Sequence, residues 1–407
     1  MITHDRFNAR RVSSRSSAPA RLARILVLAG TSVGLIAPAA ALALDLHDFS
    51  CEHCRAEFAR AMARRDTGPR ADEFDAATGR DLRNFAPDRS ADLQHLKLEL
   101  SIPDMNIPRL SGVATISFEA IGSPVDRIVL NAHLLRIEGV EFQGKPVPYE
   151  HDGRTLRIRI EPPLPEGQRD DVTVRYTLND PPEGLTWTLE SPAWPGRPAQ
   201  IHTQGQPETN RYWFPTHDSP NERLSTETIV TVPEGYQVVS NGKLLSRKVT
   251  DNPDFVGGKA ETFHYLQRKE HVSYLVSLIV GKFDVVDVGT KELPMPVFVP
   301  PGTGPLVQQT YGRTPQMMRV FQNVLEEQYP WDQYAQTVVW NFGAGGMENT
   351  SATTMYDTAI LSKQALLDGD LDRLIAHELA HQWFGNFLTC NSWEHIWLNE
   401  GFATYFE

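Results

Sequence analysis

Hydrophobic and polar residues alternate along the chain from about residue 92, with the two-residue period of β-strands. Leu96, Leu98 and Leu100 are each flanked by polar residues. Similar short segments follow at about 113–119, 127–131, 156–160, 172–177, 226–232 and 272–280. Turn sequences such as Asn241-Gly242 separate them, and no helical pattern lies between them. This arrangement predicts an N-terminal antiparallel β-sandwich or saddle of about 200 residues.

The pattern becomes helical after a stretch rich in proline and glycine at 300–305, which predicts a domain boundary there. The first helix after this stretch should end near Tyr329-Pro330, because proline does not continue a helix. A short strand at 336–341 should follow and lead into the glycine-rich sequence GAGGMEN. The whole chain therefore reads as a multidomain α+β protein.

Four segments follow from these patterns: a signal peptide at 1–43, a flexible lead-in at 44–90, a β-rich domain at 91–300 and a helical domain at 301–407. The signal peptide is predicted from arginines followed by an apolar run and a small-residue cleavage site. An uncleaved membrane anchor and a twin-arginine signal are the alternatives. We therefore expect an exported protein, periplasmic or extracellular, with no stable membrane span once the signal is cleaved.

Charge and cysteine content narrow the class of protein. The net charge of −12 argues against nucleic acid as a partner. Cys51 and Cys54 form a CxxC pair in the lead-in, which an oxidising compartment could close into a disulfide. Half of a metal or redox site is the alternative for this pair. Cys390 is expected to be a packed thiol.

The sequence HELAHQWFGNFLTCNSWEHIWLNE carries the chemistry. His377 and His381 are four residues apart, so both imidazoles project from one helix face, as two ligands of one metal do. Gly385 should close this helix, and residues 386–396 should turn the chain into a second helix. That helix could bring Glu400 beside the histidines as a third ligand, which leaves one position of a catalytic zinc open.

Glu378 lies next to His377 and would act as a general base rather than as a ligand. The alternative to a metal site is a buried amphipathic helix with two core histidines. Apolar Leu374, Ile375 and Leu379 accompany the histidines, as a metal-bearing core helix requires. The residues therefore favour one Zn²⁺ per chain.

Together, HELAHQWFGN and WLNEGFATYFE resemble the zinc-site signature of the aminopeptidase N family, which also holds the leukotriene hydrolases. The sequence GGMEN at 345–349 matches the exopeptidase motif of that family. Residues 204–220 resemble its substrate-pocket segment, and residues 273–283 the end of its β-rich domain. The resemblance covers residues 90 to 407 and implies a thermolysin-like, mainly helical zinc peptidase domain after the β-rich one.

The resemblance also implies how a substrate would bind. Glu348 matches the carboxylate that pairs with the substrate amine, and Gln206 matches a second residue of that pocket. The rest of the motif would lie along the peptide, through Gly345, Gly346, Met347 and Asn349. We therefore expect a zinc aminopeptidase whose partners are peptides with a free N-terminus.

Three further expectations accompany this one. The oxyanion tyrosine of the family would lie beyond Glu407, and Tyr405 comes too early to match it. The chain ends inside a predicted helix, so we expect the zinc domain to be incomplete and the fragment alone to be inactive. An epoxide hydrolase and a non-catalytic scaffold on the same fold are the alternative functions.

Overall fold

A computed structural model describes residues 89, 91–192 and 194–407. The predicted signal peptide at 1–43, the lead-in up to residue 88 and the pair of Cys51 and Cys54 lie outside the described residues. Among the described helices, none is long and apolar enough to cross a membrane.

Strands account for most of the regular structure before residue 300. In chain order the strands of the described residues are β1 (Asp92–Ser101), β2 (Arg109–Glu119), β3 (Val125–Asn131), β4 (Arg136–Phe142), β5 (Lys145–Pro146), β6 (Tyr149–His151), β7 (Thr155–Leu164), β8 (Arg169–Asn179), β9 (Leu185–Thr188), β10 (Gln200–Thr203), β11 (Arg223–Pro233), β12 (Gln237–Ser240), β13 (Lys243–Asp251), β14 (Lys259–Val272), β15 (Leu278–Gly281), β16 (Asp284–Asp287), β17 (Pro296–Val299), β18 (Ala335–Val338), β19 (Gly346–Met347) and β20 (Ala352–Met355).

Two sheets of the β-rich part share one hydrophobic core. The larger has eight strands in the order β13-β14-β11-β1-β2-β8-β4-β5, and a three-stranded sheet has the order β3-β7-β6. Alternate side chains of β1, including Leu96 and Leu98, pack in the same cluster as Ile128 of β3 and Ile158 of β7. The β-rich fold class is confirmed, although the pair of β1 and β11 is parallel rather than antiparallel.

Leu98 gives a direct test of the alternating pattern, because its side chain is fully buried and the next residue, Glu99, is exposed. We expect Leu98→Ala to lower the free energy of unfolding by about 2–5 kcal/mol, through lost apolar contacts and a residual cavity. Glu99→Ala should change it by less than about 1 kcal/mol, since a surface ion pair contributes little. Urea denaturation of both variants measures this, and equal losses would contradict the assigned faces.

The predicted strand at 272–280 is wrong as a single element. β14 ends at Val272, a 3-10 turn follows at Ser273–Leu275, and β15 begins only at Leu278. Side-chain amides donate hydrogen bonds to backbone carbonyl groups that would otherwise accept from a neighbouring strand. Asn210 Nδ2 donates to the carbonyl of Ser273 at 2.6 Å, and Asn241 Nδ2 donates to that of Leu275 at 2.9 Å. The turn redirects the side chain between them into the site described below.

The second part of the chain is a five-stranded sheet with helices. The sheet order is β16-β17-β18-β20-β19. The α-helices of the described residues are α1 (Val307–Tyr311), α2 (Thr314–Leu325), α3 (Asp372–Ala380) and α4 (Trp397–Phe406). β16 and β17 precede the predicted boundary at residue 300 but pair into this sheet, through the parallel contact of β17 with β18. A four-stranded sheet, β12-β15-β10-β9, completes the fold.

Two predicted ends in this part differ from the observed ones. α2 ends at Leu325 rather than near Tyr329-Pro330, because Glu326 adopts a left-handed conformation with φ 53° that stops the helix. β18 ends at Val338 rather than at residue 341, because the backbone N–H of Trp340 donates to the Gln200 side chain at 2.7 Å instead of to a strand.

Candidate metal centre

The two histidines of the HELAH sequence lie at the C-terminal end of α3. The helix ends at Ala380, so the prediction that Gly385 closes it is wrong. His381 nevertheless keeps helical dihedral angles, and its N–H donates to the carbonyl of His377 at 3.1 Å. Its ring Nδ1 meets the carbonyl of Phe384 at 2.9 Å, inside the turn that replaces further helix. The two imidazoles therefore face the same side at the helix end.

α4 places Glu400 beside these histidines, where the sequence predicted a third ligand. His377 Nε2 and His381 Nε2 are 3.1 Å apart, and Glu400 Oε2 lies 3.4 and 3.3 Å from them. Zinc with tetrahedral ligands at about 2.0–2.1 Å separates its ligand atoms by about 3.3 Å. The three atoms therefore form one face of such a tetrahedron. This is the only group of metal-ligand type that the described residues bring together.

The orientation of each ring also suits a metal. The carbonyl oxygen facing His381 Nδ1 can only accept, so Nδ1 carries the proton and Nε2 presents a lone pair. His377 Nδ1 lies 2.7 Å from Glu407 Oε2, which favours the same tautomer. Two buried lone pairs 3.1 Å apart repel unless a cation lies between them. The donor set therefore fits a metal ion.

Glu407 was not identified from the sequence. It directly follows α4, seven residues after Glu400, and its backbone N–H still donates to the carbonyl of Ala403 at 3.0 Å, so helical spacing places the two carboxylates on the same face. That spacing is the signal that could have found it. Arg373 pairs with the other oxygen of Glu407, so the carboxylate is held from both sides.

The electrostatics of the cluster favour positive charge. Burial alone would lower the pKa of His381, but the carboxylates of Glu348 and Glu400 outweigh it and raise that pKa to about 9. Burial alone would raise the pKa of Glu400, but the imidazoles of His381 and His377 hold it well below its usual range. The carboxylates around the two imidazoles therefore favour positive charge at this position.

Glu378 is buried beside the cluster, and β19 runs against it. A Cβ atom on Gly346 would overlap Glu378 Oε1, so a larger residue at 346 would displace the Glu378 carboxylate. A Cβ on Gly345 would approach Leu374 Cδ1 to 3.2 Å. The structure thus brings the GAGGMEN sequence and the HELAH sequence into direct contact, with the Glu378 carboxylate against β19.

Glu348 is hydrogen-bonded to residues that follow the C-terminal end of α3. It is buried, and its backbone carbonyl accepts hydrogen bonds from Gln382 Nε2 at 3.1 Å and Asn386 Nδ2 at 2.7 Å. Both donors follow His381 in the sequence. Its carboxylate Oε1 accepts a hydrogen bond from the hydroxyl of Tyr274 at 3.1 Å. The sequence predicted that Tyr274 lies inside a strand. Glu348 therefore has a defined position relative to the histidines.

The other predicted pocket residues lie in the segments that contain Glu348 or meet Tyr274. Met347 is fully buried and packs with Tyr274, while Asn349 accepts a hydrogen bond from Thr354 Oγ1 at 2.9 Å. Gln206 is buried in the segment that meets Tyr274, since a Cβ on the adjacent Gly205 would overlap the carbonyl of Tyr274. The structure thus gathers the predicted pocket segment and the GAGGMEN sequence around one tyrosine.

The thiol of Cys390 is buried and free, as expected for a packed cysteine. Burial raises its pKa to about 12, so the sulfur stays protonated at neutral pH. Its backbone N–H donates to Asn399 Oδ1 at 3.1 Å.

Comparison with known families identifies both parts of the chain. The family model described as Peptidase M1 N-terminal domain matches residues 92–275, and the model described as Peptidase family M1 domain matches residues 310–407. The second match includes the histidine and glutamate cluster, and the first includes Tyr274 and Gln206.

Individual relatives agree with these matches. The chain is 29% identical over 326 residues to aminopeptidase M1-B of Oryza sativa subsp. japonica, covering 74% of this chain and 35% of the relative. It is 25% identical over 349 residues to aminopeptidase B of Rattus norvegicus, covering 80% and 51%. The crystal structure of the M1 zinc metallopeptidase from Deinococcus radiodurans superimposes with a TM-score of 0.64 at 25% identity, covering 78% and 70%. The chain spans about a third of the length of its rice relatives.

Proposed function

Because this chain belongs to peptidase family M1, we propose that the protein is a zinc aminopeptidase that removes N-terminal residues from peptides. One observation carries the proposal. Glu348 is buried, and its backbone carbonyl accepts hydrogen bonds from Gln382 Nε2 and Asn386 Nδ2, which follow the helix that presents His377 and His381. A cation-binding carboxylate at a set position beside a metal cluster is what recognition of a substrate amine requires.

His377, His381 and Glu400 would hold the zinc ion. Bound zinc supplies a Lewis acid that polarises the scissile carbonyl and lowers the pKa of water to about 7. Glu378, held against β19, accepts a proton from the attacking water at its carboxylate and then donates it to the leaving amine.

Glu348 would bind the substrate ammonium group in a partly desolvated pocket, where a charge-assisted hydrogen bond is strong. Gln206 can accept from the same ammonium group but adds no charge, so binding depends mainly on Glu348. β19 is the last strand in the order of its sheet, so its outer edge at Gly346 and Met347 can pair with an extended peptide.

A cleaved signal at 1–43 would place this activity outside the cytoplasm, since the basic and apolar pattern there is typical of exported proteins. A substrate complex is known for a relative. A mutant of the Deinococcus radiodurans enzyme has been crystallised bound to a Tyr-Ser-Ala substrate, with a TM-score of 0.63 and 26% identity to this chain. We propose unblocked peptides of this kind as the substrate class here.

Glu348→Ala tests the proposal in the full-length protein. We expect wild type to release amino acids from free peptides but not from N-acetylated ones, and to bind one zinc. The variant should keep its zinc and lose about 100-fold in kcat/KM on free peptides, because the ammonium group loses its charged partner. Amino-acid release and metal analysis measure both.

The matched control is Glu327→Ala, which removes an exposed glutamate on the surface after α2 and should change neither quantity. Cleavage of acetylated peptides by wild type would instead make the protein an endopeptidase. Zinc binding without any peptide cleavage would favour an epoxide hydrolase or a scaffold.

A further inference from the structure

Tyr274 connects two parts of the site that lie far apart in sequence. Its side chain is buried, and its hydroxyl lies 3.1 Å from Glu348 Oε1 and 3.1 Å from Asn399 Nδ2. Asn399 immediately precedes Glu400 on α4. A single hydroxyl group therefore stands between the carboxylate assigned to the substrate amine and the helix that carries a metal ligand.

The direction of each hydrogen bond follows from chemistry. The amide nitrogen of Asn399 can only donate, and its orientation is set because Asn399 Oδ1 accepts from the backbone N–H of Cys390 at 3.1 Å. The hydroxyl of Tyr274 therefore accepts from Asn399 and donates its own proton to Glu348. Burial and the nearby Glu348 carboxylate raise the pKa of Tyr274 well above its usual value, so the proton stays on the tyrosine.

The ring of Tyr274 has little freedom to move. Trp393 packs edge to face against it, with 5.1 Å between ring centroids. Trp393 is itself held, because its Nε1 donates to Glu208 Oε1 at 3.1 Å. The backbone of Tyr274 lies in the 3-10 turn at Ser273–Leu275, whose carbonyls accept the side-chain amides of Asn210 and Asn241. The hydroxyl is thus a rigid donor rather than a mobile one.

We propose that Tyr274 is a positioning residue, which orients the carboxylate of Glu348 and sets its distance from the metal ligands through Asn399. This inference rests on the proposed function, in which Glu348 binds the substrate amine. A rigid donor on Oε1 stops the carboxylate from rotating and leaves Oε2 directed at the ammonium group. Because the separation of amine site and metal decides which peptide bond is attacked, Tyr274 supports cleavage after the first residue only.

Tyr274→Phe tests this role, because phenylalanine keeps the ring and its packing on Trp393 but removes the donor. In the full-length protein we expect one zinc per chain and a fall in kcat/KM on free peptides of about 10-fold, mainly through KM. The preference for free over N-acetylated peptides should fall by a similar factor. Amino-acid release from both peptide series, with metal analysis, measures these quantities.

Tyr265→Phe is the matched control. Tyr265 is also buried, and its hydroxyl donates to the carbonyl of Val238 at 2.7 Å, in the β-rich part of the chain. Its replacement removes a buried hydrogen bond of a tyrosine hydroxyl and should lower the free energy of unfolding. KM and the preference for free peptides should stay as in wild type.

A double variant separates the possible causes. If Tyr274 acts through Glu348, then adding Tyr274→Phe to Glu348→Ala should change kcat/KM less than about twofold. An effect as large in that background as in wild type would overturn the positioning role. The positioning role would also be overturned if Tyr274→Phe kept the wild-type KM and preference for free peptides, as expected for Tyr265→Phe, while Glu348→Ala abolished that preference. If Glu348→Ala keeps that preference, the proposed function and this inference both fail.

Discussion

Replacing Glu378 with glutamine is expected to lower kcat by about 1,000-fold while the protein still binds one zinc. Positioned general bases typically contribute about 100- to 10,000-fold, and an amide cannot accept the proton of the attacking water. Glutamine has the size of glutamate, so the close contact of residue 378 with Gly346 is kept and β19 should not move. Steady-state kinetics on a free peptide, together with metal analysis, measures the effect.

Glu394→Gln is the control for this variant. Glu394 is an exposed glutamate in the short turn before α4, outside the cluster of metal ligands, and its amide should leave kcat unchanged. A Glu378→Gln variant with kcat within about tenfold of wild type would exclude Glu378 as the general base, since that loss is below the usual range for such a group.

Replacing His381 with alanine is expected to abolish both zinc binding and turnover. Losing an outer hydrogen-bond partner of a ligand typically costs about 10- to 100-fold in metal affinity, and losing the ligand itself costs more. All three candidate ligands lie within residues 377–400, so zinc binding can be measured on the 407-residue chain. Free zinc at about 1,000 times its Kd should stabilise wild type by about 4 kcal/mol and the variant not at all.

Thermal unfolding with and without zinc, and after treatment with a chelator, measures this stabilisation. His395→Ala is the control, because His395 lies close in sequence to the ligands but is exposed. It should retain stoichiometric zinc and the full shift in Tm. Stoichiometric zinc in His381→Ala would mean that the ion binds elsewhere, and the assignment of His377, His381 and Glu400 would then be wrong.

Local spacing was enough to predict that the two histidines lie together. His377 and His381 are four residues apart, so any helix at this point presents both rings on one face. The helix ends earlier than Gly385 suggested, but one turn is all that the two rings need. The alternation along β1 predicted its buried face for the same reason, since side-chain direction in a strand depends only on the backbone period.

Tyr274 and Glu407 show where local spacing fails. Tyr274 lies in a sequence with strand character, and only side chains more than 30 residues away, Asn210 and Asn241, turn the backbone there. Its partners Glu348 and Asn399 are 74 and 125 residues away in the chain. No period in the sequence encodes contacts of that range, because they depend on how separate elements pack.

The sequence by itself therefore determined the class of fold, the position of His377 and His381 on one helix face, and the family, because each depends on residue type at short spacing. Only the tertiary structure decided how Glu348 is held, which side chains orient the two histidines, and that β16 and β17 join the second sheet. Those features depend on packing and hydrogen bonding between segments distant in the chain, where the free energy of the whole fold outweighs local preference.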